Sequence, residues 1–275
     1  MTLVSMFEHP NTLPAAPKVV QELIASFNSD TIAIDQIARK IAVDPVLSAK
    51  LLRLANSAYY HVSLSVGTVD DAIAMRGFVT VRTLVISNGL VNGFKAVPGL
   101  DLNQFWLYSL HTAVAARWLA QQAGQNSDEA FTVGMMHAIG ALVMHSVMPA
   151  QMQQLDKLAG LSDARRLDVE RNTFGYTFAE VGAELARRWK FPDVFAIAIE
   201  NFPQPAAHEE FLPMSAILHI AAWLARADAC HWALDEMRAS CPTAMVQRLG
   251  LAPNVMLEGM PAIAELAAGM EELVT

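Results

Sequence analysis

A chain of 275 residues, 53% hydrophobic and 17% charged, is long enough to bury a substantial core and is not a disordered sequence. Charge is uneven: residues 1–98 hold 8 Lys+Arg against 7 Asp+Glu, net +1, while residues 99–275 hold 11 against 20, net −9. Neither part carries the dense basic patch that phosphate-backbone binding requires, so direct nucleic-acid binding is disfavoured.

The apolar excess comes from Ala, Leu, Val, Ile and Met, and few Gly-bounded alternating runs signal strands. The expected fold class is all-α. Residues 1–11 carry Glu8 and no basic cluster ahead of an apolar run, unlike a signal peptide. The most apolar stretch, 133–148, is interrupted by His137 and His145 and falls short of the roughly 20 residues of a spanning helix. It reads as a buried core helix, and no membrane partner is expected. Cys230 and Cys241 lack CxxC spacing, which fits a reduced cytoplasmic protein without structural zinc.

In chain order, Pro14 and Pro17 open a first helix that runs to about Phe27, and Asp30 or Thr31 caps a second with Ile34, Ile37, Ala38 and Ile41 on one face. Asp44-Pro45 ends that helix and starts a third, because aspartate satisfies free N–H groups and proline is tolerated at the first helical position. The third spans about 46–57. Thr68 to Asp71 has capping-box spacing for a fourth, which ends near Gly77, and 78–94 makes a fifth with Val81, Leu84, Val85 and Leu90 inward. Asn56-Ser57 sits at a helix C-terminus, where Asn tolerates left-handed backbone; the alternative is that Asn56, Ser57, Tyr59 and Tyr60 form a recognition surface.

The break at Ala96-Val97-Pro98-Gly99, ahead of the cap Asp101, divides a first lobe (1–98) from a second (99–228), with a C-terminal helical extension at 229–275. Helices are expected near 102–123, 128–147, 149–159, 163–173, 177–190, 193–201, 213–227, 231–240, 243–249 and 261–273, separated by Gly and Pro. No fixed-period repeat occurs, so a two-lobed bundle is expected rather than a solenoid.

Leu13-Pro14-Ala15-Ala16-Pro17, the run 41–60 with Asp44-Pro45-Val46-Leu47 and Asn56-Ser57, and Asp71-Ala72-Ile73-Ala74-Met75-Arg76-Gly77 together resemble an HDOD domain, the HD-related output domain of bacterial signalling proteins. The similarity covers residues 13 to about 227. It implies an N-terminal helical lobe packed on a degenerate relative of the HD and HD-GYP metal-dependent phosphohydrolases, and a regulatory role in signal output.

The resemblance also places the family's metal ligands on this chain. His111 falls at the first histidine of the HD pattern and His137 at the histidine of its His-Asp pair, but Ala138 stands where the aspartate belongs. In Gly175-Tyr176-Thr177-Phe178-Ala179-Glu180, Phe178 takes the place of a histidine; Glu200-Asn201 replaces a His-His pair, and Ala222 in His219-Ile220-Ala221-Ala222 replaces the closing aspartate. Two imidazoles survive, whereas a catalytic site normally needs three protein ligands and an open position. A salvaged divalent-metal site would have to draw on His111, His137, His219 and Glu200; the alternative is that His111 and His137 are buried histidines bonded to neighbours. No phosphate-binding glycine loop occurs, and no nucleophile–base pair is evident.

The expected function is a non-catalytic signal-transduction module with no cofactor, acting on a protein partner, with self-association left open. The alternatives are an HD-type phosphohydrolase acting on a nucleotide or phosphodiester, and a nucleotide sensor that uses the relict cleft.

Overall fold

The computed structural model describes residues 2–8, 18–26, 34–56 and 66–274, and every regular element among them is helical. The fold is all-α, as composition and periodicity require. Leu13, Pro14, Pro17, Phe27, Asp30, Thr31, Ser57, Tyr59 and Tyr60, to which the sequence assigns helix limits, a cap and a recognition surface, lie outside the described residues.

The N-terminal lobe contains α1 (Leu3–Met6), α2 (Lys18–Ala25), α3 (Ile34–Val43), α4 (Pro45–Ala55), α5 (Val69–Arg76) and α6 (Phe78–Gly93). The Asp44 carboxylate accepts the amides of Val46 and Leu47, with Pro45 at the first helical position where its missing N–H costs nothing. Thr68 caps α5 by accepting the Asp71 amide. Asn56 differs from its expected left-handed state: its φ is −95°. Its side chain instead bonds the carbonyls of Leu52 and Val66 at 2.8 Å and the Val66 amide at 2.7 Å, which pins the returning chain to the end of α4. Val81, Leu84, Val85 and Leu90 of α6 are all buried, and α6 packs on α2, α4 and α5 of its own lobe and on α8 of the next.

The second lobe begins with α7 (Leu102–Gln122), capped by Asp101, and α8 (Ser127–Met136), capped by Asn126. The single helix expected at 128–147 is in fact two, because the chain breaks at His137-Ala138 before α9 (Ile139–Val147). Ser127–Val147 is long and apolar enough to cross a membrane, but 89% of its most apolar 18-residue window is buried within the fold. Then follow α10 (Pro149–Leu158), α11 (Arg166–Phe174), α12 (Phe178–Arg188), α13 (Asp193–Asn201) and α14 (Pro213–Ala229). The extension holds α15 (Leu234–Ser240), α16 (Thr243–Arg248), α17 (Pro253–Gly259) and α18 (Ile263–Ala267). Helix α17 is not among the sequence expectations, and the tail expected as one helix at 261–273 is instead α18 followed by a short turn, Glu271–Leu273.

Helix α7 lies against α8 and α14, while α12 lies against α9 and α13. Among the described residues one apolar core cluster takes in side chains from Met6 to Val274. The short turn Glu271–Leu273 reaches back onto α4 and α6, and α18 packs on α7. The extension is therefore part of the packed body.

Candidate functional site

Two glycines let the central helices approach closely enough to form the site. A Cβ on Gly134 of α8 would sit 2.5 Å from the Ala113 Cα of α7, and one on Gly140 of α9 would sit 2.0 Å from the Phe178 carbonyl oxygen of α12. Both distances are far inside van der Waals contact, so only a residue without a Cβ fits. Between these glycines the helix stops. The His137 Nδ1–H donates to the Gly134 carbonyl at 2.7 Å, while the His137 amide lies 3.4 Å from the same oxygen. A side chain that competes for a backbone acceptor in this way interrupts the helical ladder.

His137 is 1% exposed. The Tyr108 ring from α7 stands edge-on to it at 5.3 Å, and Phe202, just past α13, stands edge-on at 5.8 Å. Phe202 in turn packs on Phe178 at 6.2 Å between ring centroids. Ala138, Phe178 and Ala222 are all buried. Burial lowers the His137 pKa to about 4, outweighing the Gly134 hydrogen bond that favours the charged ring, and the nearby Arg226 cation lowers it further. The imidazole is therefore neutral at pH 7, with its proton on Nδ1. Tyr108, whose hydroxyl donates to the Ala222 carbonyl at 3.3 Å, has its own pKa raised, first by burial.

The other candidate donors are committed elsewhere. His111 Nδ1 lies 3.1 Å from Asp228 Oδ2. His219 Nδ1–H donates to the Phe202 carbonyl at 2.8 Å, and burial lowers its pKa as well. Glu200 pairs with Arg187, and Asn201 bonds the Ile197 carbonyl and His208. Glu200 and Asn201 line an outer groove of about 540 Å³ together with Arg171, Thr177 and Glu180.

A divalent ion, which the HD pattern implies, finds a poor fit. His137 and His219 each hold Nδ1 on a carbonyl and keep Nε2 as a lone-pair donor, a tautomer suited to ligation. However, methyl and phenyl groups stand where the carboxylates and further imidazoles are needed. Among the described residues no three His, Cys, Asp or Glu side chains gather as a metal group. No catalytic step through a metal is derived from this donor set.

A second buried polar region supports Phe178 from behind. The Phe178 amide donates to Glu170 Oε2 at 2.6 Å, and Arg166 Nε donates to Glu170 Oε1 at 2.6 Å. Arg166 Nη1 also bonds Asp156 at 2.5 Å and the Ala159 carbonyl at 2.7 Å. His145, fully buried, has Nε2 3.3 Å from Asp156 and Nδ1 3.3 Å from the Pro98 carbonyl in the inter-lobe linker. Burial pushes the Glu170 carboxyl up, against the pull of Arg166 and the Phe178 amide. Burial also opposes charge on Asp156, but His145 and Arg166 outweigh it and hold that carboxyl down. This cluster is not among the sequence expectations, nor are Tyr108, Phe202 and Asp228. The only local signal was the i, i+4 spacing of Arg166 and Glu170.

Comparison with known proteins agrees with this architecture. A solved structure from Shewanella amazonensis SB2B, provisionally named a phosphohydrolase, is 32% identical over 98% of this chain and 97% of its own, with a TM-score of 0.79. A second, from Marinobacter aquaeolei VT8 and provisionally named a signal transduction protein, is 22% identical over 95% of this chain and 58% of its own, with a TM-score of 0.70. A protein of Treponema pallidum (strain Nichols), whose name assigns no function, is 25% identical over 218 residues, 76% of this chain. The chain spans 41% of that protein's length. Residues 13–205 match the HDOD domain, more than two thirds of the sequence, and the chain belongs to the HDOD domain family.

Proposed function

We propose that this chain is a non-catalytic signal-output module that works by binding a protein partner. The observation that carries the reading is the state of His137: a neutral imidazole closed off by Tyr108 and Phe202, with Ala138, Phe178 and Ala222 at positions where the HD pattern needs donors. Hydrolysis of a phosphate ester requires a water activated at an accessible centre. A side chain 1% exposed neither reaches a substrate nor exchanges protons with one. The HD frame is kept while the groups that would act on a substrate are replaced by packing.

Partner binding also has surface support. Val43 is 81% exposed and Val46 68% exposed, on either side of the Asp44-Pro45 corner between α3 and α4. The signalling role draws on the family and on the name of the Marinobacter aquaeolei relative. The phosphohydrolase reading draws on the name of the Shewanella amazonensis relative and would need ligands that His111, with its ring nitrogen on Asp228, and His137 do not supply as a pair.

The test joins metal analysis of protein purified without added metal to a phosphate-ester panel run with Mn²⁺ and Mg²⁺. We expect sub-stoichiometric metal, unchanged in a His111→Ala/His137→Ala control, and no turnover. Stoichiometric metal lost in the control, together with hydrolysis, would overturn the proposal.

A further inference from the structure

Where α14 ends, the chain turns back through a geometry that glycine usually supplies. The Trp232 amide bonds the Ala227 carbonyl at 2.9 Å and the His231 amide bonds the Asp228 carbonyl at 3.0 Å, with His231 in the left-handed region at φ 53°. This is the paired closure of a helix C-terminus, in which the left-handed position is most often glycine. The tight turn lets Trp232 and Asp228 both line a cavity of about 290 Å³ between α14 and the extension. Leu224, Met237, Met260 and Ile263 supply its apolar walls. That volume holds about ten water-sized groups.

The ionisable side chains that line this cavity are Asp228 and His231. Asp228 is the only carboxylate among its lining residues, and no Lys or Arg lines it. The carboxylate is 39% exposed, and His111 Nδ1, at 3.1 Å from Oδ2, is the one donor that reaches it among the described residues. Residues 99–275 carry a net charge of −9, so the surrounding field also favours a cation. A carboxylate and an indole in the lining of one cavity, with thioethers and aliphatic side chains as its other walls, match an ammonium group attached to a small apolar body.

We infer that this cavity is a binding site for a small apolar organic cation, whose ammonium pairs with Asp228 beside the Trp232 ring. The site is distinct from the closed His137 centre and does not depend on the partner-binding reading. An occupant would lie one hydrogen bond from His111, because that imidazole shares the Asp228 carboxylate.

Titration calorimetry of the full chain with phenethyltrimethylammonium, and with 2-phenylethanol as an uncharged probe bearing the same ring, tests the site. We expect one saturable site that takes the cation about tenfold more tightly than the alcohol. Asp228→Asn keeps the shape and a His111 acceptor, and should weaken the cation by about tenfold while leaving the alcohol unchanged. Trp232→Leu should weaken it by about fivefold, and Trp232→Phe, which retains an aromatic face, by less. Circular dichroism confirms that each variant is folded. No saturable heat at millimolar cation, equal affinity for cation and alcohol, or cation affinity unchanged in Asp228→Asn would each overturn the assignment.

Discussion

The surroundings of His137 and those of Arg166 solve the problem of a buried polar group in opposite ways. Around His137 the neighbours are aromatic rings and methyl groups, and the imidazole meets its burial by staying uncharged. Around Arg166, four ionisable side chains from α9, α10 and α11 are packed together and keep contact with one another and with backbone. The first arrangement satisfies a buried imidazole by packing and one backbone hydrogen bond. The second is a working polar scaffold, and it ends on the amide of Phe178, the residue that helps close the first. The walls around His137 have to be held in place, and here buried ionisable groups do so through the Phe178 amide.

Removing one member of the charged cluster is the most severe way to break this contrast. Arg166→Leu leaves Glu170 buried with only the Phe178 amide, and should cost about 3–5 kcal/mol in urea unfolding. Arg166→Leu/Glu170→Leu should recover a large part of that loss, because no unpaired charge then remains. A single-variant loss within experimental error of zero would mean that the cluster is not bearing the load assigned to it.

The His137 centre should announce itself through pH. The folded-state pKa of about 4 lies below the 6.5 of an ordinary histidine, so on acidification the unfolded chain takes up this proton first. The stability tied to His137 is therefore complete above pH 6.5 and is lost as pH falls towards 4, by about 3 kcal/mol at 1.36 kcal/mol per pH unit. His219, also lowered by burial, adds to the same slope. His137→Leu should flatten the urea-stability profile between pH 6.5 and 4; an unchanged slope would show that the ring is not held neutral.

Gly140→Ala probes the backbone that both regions share. Its Cβ would meet the Phe178 carbonyl oxygen at 2.0 Å and the Gly182 nitrogen at 2.5 Å, both main-chain atoms that cannot rotate aside. The expected cost is about 2 kcal/mol, read by thermal or urea unfolding. A neutral result would mean that α9 and α12 can separate more easily than their packing implies.

Much of this architecture could be read from the residues because it depends on local rules. Asp44, Thr68, Asp101 and Thr177 each cap the helix that follows, and the inward face of α6 follows from spacing alone. The candidate site was legible only as a set of substitutions: Ala138, Phe178, Asn201 and Ala222 mark missing donors by comparison with a pattern. What fills the gap was not legible. Phe202 lies 65 positions after His137 and meets it only through the packing of α13, and the Asp228 partner of His111 comes from the far end of α14. The split of α8 from α9 escaped for a related reason. Apolar periodicity continues through 137–138, and the interruption arises from a side-chain bond to the Gly134 carbonyl that no propensity encodes.

The mildest test separates two supports of Phe178. Thr177 and Glu180 form a reciprocal cap at the start of α12: the Thr177 amide donates to Glu180 Oε2 at 2.8 Å, and the Glu180 amide approaches Thr177 Oγ1 at 3.5 Å. The second bond is long, which places Thr177→Ala at about 1 kcal/mol or less, the modest end of cap deletions. Glu180 is also tied to Arg171 at 2.8 Å, so Glu180→Ala should cost a similar amount, and the double variant less than the sum of the two. If Glu170 alone fixes the Phe178 backbone, Thr177→Ala will leave the acid profile attributed to His137 unchanged while lowering overall stability slightly. If the cap shares that task, water will enter beside the imidazole, its pKa will rise towards 6.5, and the acid slope will shrink. The measurement thus assigns the closing of the histidine centre either to the buried charges behind it or to the helix end in front of it.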